Sequence, residues 1–177
     1  WPRAVEAFDR AVAADPRKAD AYLARGWSRL CADVDGAETD ARAFLNLQGW
    51  SDPASPYMAM LGVLAERRAG RDSAAYAVLE EALAKLPQQS NWPRPALLHL
   101  NGDLSDAQLI EAAGNDVQRT EARTLVALDL LRRRKTAEAR EHLEWVRDHS
   151  IDRSVAADLA RATLKQLDRT DQIARKP

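Results

Sequence analysis

The chain has 177 residues, with 26 Lys or Arg against 27 Asp or Glu and a formal charge of −1. Charged residues at 30% and apolar residues at 46% exclude a disordered chain and a membrane-embedded one, and no apolar run approaches the roughly 20 residues a spanning helix needs. A balance this even removes any general electrostatic reason to expect nucleic acid or an anionic membrane as partner.

About one residue in five is Ala, with Leu, Arg, Asp and Glu next, while Ile, Phe and Thr are scarce. Strong helix formers with few β-branched residues predict an all-α protein. Cys31 is alone, which excludes an internal disulfide and leaves the redox compartment open. The chain opens Trp1-Pro2-Arg3, without an initiator Met, a basic leader or an apolar signal segment. It reads as an excised or processed fragment with any targeting signal upstream, and the cytoplasm is the preferred compartment.

Pro2 to Ala14 reads as a helix, stopped at Pro16. Ala19 to Ala32 is a second, carrying Tyr22 six residues after Pro16 and Gly26 four later. A third holds Ala37, Ala41 and Phe44 and stops at Gly49. Pro56 to Ala69 contains Tyr57, Leu61, Gly62 and Leu64 and ends at Gly70, a C-terminal stop. Ala75, Leu79 and Ala82 then lead to Pro87. Asn91-Trp92-Pro93-Arg94-Pro95 starts a short helix through about Leu100, broken by Asn101-Gly102. Ser105-Asp106-Ala107-Gln108 has capping-box form and opens a helix to Ala113, stopped by Gly114. Glu121 to Arg134 carries Leu125, Leu128, Leu130 and Leu131, and a helix with Ala139, Leu143 and Val146 follows. From Ser154 to Asp168, Val155, Leu159, Ala160, Leu164 and Leu167 share one face and charges take the other, the pattern of a closing helix. Residues 169–177 read as a polar, frayed tail.

One spacing recurs. Ala4, Phe8, Ala11 and Pro16 are separated by 4, 3 and 5, as are Ala37, Ala41, Phe44 and Gly49. Ala75, Leu79, Ala82 and Pro87 repeat it, then Ala139, Leu143, Val146 and Ile151. A small residue lets a neighbouring helix approach, the bulky one fills the gap beside it, and Pro or Gly stops the helix.

These four sets, with Tyr22 and Gly26 upstream, resemble the tetratricopeptide repeat (TPR) family. Its 34-residue unit marks the second helix by Ala, an aromatic, Ala and Pro at this spacing. The steps here are about 33, 38 and 64 residues, Ala41 takes one aromatic place, and Arg134 stands where the turn glycine normally lies. The Trp-Pro-x-Pro stretch followed by a helix pair is similar to the C-terminal part of some bacterial TPR proteins, including a lipoprotein adaptor. The resemblance implies an α-solenoid of antiparallel helix hairpins in a right-handed superhelix. It divides a single domain, 1–168, into a half repeat (2–16), repeats (19–49 and 56–87), a degenerate pair (91–114), a repeat (121–151) and a capping helix (154–168).

The concave wall of such an array is lined mainly by the first helix of each pair. Its inward positions here are Leu23, Trp27, Leu30 and Cys31, then Ala59, Val63, Glu66 and Arg67, then Thr124, Leu128, Leu131 and Arg132. Trp27 either anchors a partner or fills space against the next helix. Leu23 and Trp27 stand where chaperone-binding members carry Lys and Asn for a terminal carboxylate, so a chaperone-tail receptor is not expected. Because 2–16 matches only the second half of a repeat, Val5, Phe8 and Val12 form an open apolar edge, prone to self-association or to docking on an upstream segment.

Catalytic signatures, a phosphate loop and paired cysteines are missing. Glu138 and His142 have the i, i+4 spacing of a metal pair, but also that of an ordinary surface pair. His99 reads as a surface or packing residue and Cys31 as a buried thiol. Arg132-Arg133-Arg134-Lys135 is a dense basic run, read as a solvated helix end or as an anion contact. The expectation is a non-enzymatic scaffold without cofactor or metal, holding a protein or peptide partner or another domain of its parent chain. The second reading is an accessory region of a larger bacterial enzyme such as a kinase or protease.

Overall fold

The computed structural model describes residues 1–87, 91–150 and 154–174. Among them all regular structure is helical, in two compact units, Trp1–Asn101 and Gly102–Pro177. The division falls inside the 91–114 helix pair, whose two helices belong to different units. Ile151, the last breaker of the recurring spacing, lies outside the described residues, as do 175–177 of the tail.

The first unit holds α1 (Pro2–Ala14), α2 (Ala19–Ala32), α3 (Ala37–Gln48), α4 (Ser55–Arg68), α5 (Asp72–Lys85) and α6 (Arg94–Asn101). Each packs on the next, and α4 also touches α2 and α6. The Tyr22 hydroxyl donates to the Pro16 carbonyl at 3.0 Å, latching α2 onto the turn that precedes it. Gly26 is required by closeness: a Cβ there would lie 2.6 Å from Leu61 Cδ2 and 3.1 Å from Asp40 Cβ, so α2 crosses α3 and α4 with no room for a side chain.

The second unit holds α7 (Asp106–Glu111), α8 (Asp116–Arg132), α9 (Thr136–His149) and α10 (Val155–Ala174). Ser105 and Gln108 form the expected capping box. α8 begins five residues before the predicted Glu121, because Asn115 accepts from the Gln118 amide at 2.9 Å while Gln118 accepts from the Gly114 amide at 2.8 Å. α10 runs to Ala174, past the predicted end at Asp168. The Arg140 guanidinium of α9 grips Asp168 at 2.6 Å and Asp171 at 2.8 Å, holding the extra turn.

The recurring sets become core. Ala37, Ala41 and Phe44, then Ala75, Leu79 and Ala82, then Ala139, Leu143 and Val146 are all at most 2% exposed. Each of these helices has packed neighbours before and after it in sequence: α2 and α4 around α3, α4 and α6 around α5, α8 and α10 around α9. α1 packs on α2 alone among the described residues, so Ala4, Phe8, Ala11 and Val12 stay half-buried, while Val5 is buried. Burying a large apolar side chain contributes roughly 1.5–3 kcal/mol each, so α1 is the least anchored member of its unit.

The turns repeat as well. Asp33, Gly70 and Arg134 have φ of +57°, +72° and +61°. The amide that follows each of these residues closes back on the preceding helix: Val34 on the Arg29 carbonyl, Arg71 on Glu66 and Lys135 on Leu130, each at 2.9 Å. Arg134 thus occupies the glycine place in the left-handed conformation glycine favours.

Candidate functional site

The inward positions read from the sequence meet different fates. On α2, Leu23 and Trp27 lie one turn apart and are half-buried, whereas Leu30 and Cys31 are buried. On α4, Ala59 and Val63 are completely buried and offer no surface to a partner. The cause is that α4 is packed by α2, α3, α5 and α6 together, so ten of its fourteen residues are buried. Glu66 is buried too, and the half-buried Arg67 donates from Nη2 to the Leu100 carbonyl, tying the end of α6 to α4. In the second unit Thr124 is 1% exposed; its hydroxyl donates to the Thr120 carbonyl at 2.8 Å and lies 3.2 Å from the Ala156 carbonyl of α10. Leu128 and Leu131 are half-buried and Arg132 is exposed. Leu23 and Trp27 therefore share one partly open strip, while Leu128 belongs to the other unit.

A cleft of about 120 Å³ opens between α3, α4 and α5. Ala41, Leu45, Trp50, Gly62 and Val78 supply its apolar lining. Its polar lining includes Glu38, Arg42 and Glu66. Much of that charge is already engaged: Arg71 pairs with Glu66 and with Glu38 at 3.1 Å, and Arg42 stands 4.0 Å from Glu66. That volume lies below the roughly 300–1,000 Å³ of a typical small-molecule site. Trp50 lies in a loop, and no linear spacing links it to Glu66 or Val78.

Under the Leu23–Trp27 strip, Arg25 and Arg29 bind two carboxylates. Arg25 donates to Asp9 at 3.0 Å and to Asp40 at 2.6 Å; Arg29 donates to Asp40 at 3.0 Å and to Asp9 at 3.1 Å. Asp40 has no exposed side-chain surface. Burial pushes its carboxyl above the ordinary 3.8, against the opposing pull of the two guanidiniums. Two cations and two anions here clamp α1, α2 and α3 together.

The basic run has a similar use. Arg132 pairs with Asp129 at 3.2 Å, Arg133 with Asp106 at 2.8 Å and with Asp129 at 2.9 Å, and Lys135 with Glu138 at 3.1 Å. Internal carboxylates thus offset most of the charge an anionic partner would meet. Glu138 turns to Lys135, while His142 Nδ1 lies 3.3 Å from Arg123, so the i, i+4 pair is engaged on two separate partners. His99 is buried in α6, a packing residue, and Cys31 is a buried thiol.

No protein-family model matches the chain, and neither a curated protein nor a solved structure matches it.

Proposed function

We propose that this chain is a protein-interaction module, a TPR-like array of helix hairpins that holds a helix or extended segment of a partner along its first helices. The observation that carries the reading is one register recurring in α3, α5 and α9, each time fully buried and each time preceded by the same left-handed turn. Units repeated in this way stack by nearest-neighbour contacts and leave a long side wall open to a partner. Sealing of Ala59 and Val63 moves the anchor to α2, where Leu23 and Trp27 keep part of their apolar surface in water. A half-buried indole beside a leucine suits an apolar or mixed segment better than a terminal carboxylate.

The test places a photo-crosslinking residue at position 23, identifies the captured segment, and measures its affinity for the chain as a purified peptide. Trp27→Ala is expected to weaken that affinity tenfold or more with little change in thermal unfolding. Unchanged affinity, or a loss that only mirrors a large fall in stability, overturns the assignment of Trp27 as anchor.

A further inference from the structure

In the second unit a half-buried cluster joins α8 to α9. The Arg123 guanidinium of α8 lies over the Trp145 ring of α9, 4.3 Å from its centroid. Trp145 also stacks on His149 of the same helix, with ring centroids 4.6 Å apart and planes 6° apart. One Arg123 terminal nitrogen, Nη1, is 3.3 Å from His142 Nδ1.

An arginine side chain has five N–H donors and no acceptor, and it does not lose its proton in proteins. At the Arg123–His142 contact His142 Nδ1 must therefore accept, which leaves the imidazole neutral with its proton on Nε2. Protonation would place an N–H and a positive charge on the atom that faces the guanidinium. Arg123 cannot swing aside freely, because the indole face holds it and leaving forfeits that cation–π contact.

We propose that the Arg123–His142 contact is a proton-sensitive latch, closed between α8 and α9 only while His142 is neutral. The surrounding charges act in both directions. Burial, then Arg123, push the His142 imidazole below its ordinary 6.5, while Asp106 of α7 and Glu141 and Glu138 of α9 itself pull the other way. On the α10 side of α9, Arg140 is closed off by Asp168 and Asp171. With the folded value depressed, the unfolded chain takes up the proton first. The stability the latch contributes is therefore fully present above pH 6.5 and is lost as the pH falls below it, and the latch itself opens as the pH passes through the depressed folded value.

Long-range ¹H–¹⁵N histidine spectra of the intact chain, assigned through the backbone, test this on the wild type. His142 is expected as the Nε2–H tautomer at neutral pH, with a midpoint below 6.5 that rises in Arg123→Gln. Hydrogen exchange, corrected for its intrinsic pH dependence, is expected to lose several-fold protection across 116–149 between pH 7.5 and 5.5, and His142→Gln to flatten that loss. An Nδ1–H tautomer, a midpoint at or above 6.5, or the same pH profile in His142→Gln overturns the latch. Should that variant fail to fold, the wild-type tautomer and midpoint decide the question alone.

Discussion

Replacing Phe44 and Phe8 by Ala in parallel probes whether the aromatic of the recurring set, carried by different helices, has the same surroundings. Phe44 is 2% exposed, with α2 and α4 packed on either side of its helix. Its removal forfeits the transfer free energy of the ring and leaves a cavity, together about 3–5 kcal/mol. Phe8 is the aromatic of the same set in α1, one place earlier than Phe44; α1 packs on α2 alone among the described residues, and Phe8 is half-buried. Part of its transfer term was never gained and its cavity opens to water, so the expected cost is about half as large or less. Urea unfolding followed by far-ultraviolet circular dichroism separates the two. With a slope of about 2 kcal/mol per molar, Phe44→Ala lowers the midpoint by about 2 M and Phe8→Ala by under 1 M. Equal losses refute the reasoning, because they mean that α1 is covered in solution as completely as α3. Repeating the Phe8 measurement over a hundredfold range of concentration then identifies the cover: a cost that grows with concentration points to a second copy on the apolar edge.

Two further outcomes follow from the clamp and the turns. Asp40→Ala leaves Arg25 and Arg29 short of a buried carboxylate and is expected to cost about 3–5 kcal/mol in the same unfolding assay, whereas Asp9→Ala, at a 47% exposed side chain, costs no more than about 1 kcal/mol. Arg134→Gly relieves a left-handed residue and is expected to raise stability by about 0.5–1 kcal/mol, while Gly70→Ala in the equivalent turn lowers it by a similar amount; thermal unfolding of both variants checks the opposed signs.

Most helices were legible because their signals are local. The Ser105–Gln108 box, the stops at Gly49 and Gly70 and the small-bulky-small spacing act within one or two turns of chain, so composition and spacing alone determined an all-α fold and which face of α3, α5 and α9 enters the core. The Asn115–Gln118 cap was equally local and went unread, which cost the first five residues of α8. Exposure was a different matter. Ala59 and Val63 have the spacing of groove positions, but α6, more than thirty residues on, helps enclose the helix that carries them. The extra turn of α10 depends on Arg140, twenty-eight residues before Asp168. Nothing in the linear order brings Arg123 to His142 and Trp145. Helix formation and facing are settled by neighbours three and four residues away. Which surface stays in water, and which charge meets which, is settled only when distant helices pack and exclude solvent from between them.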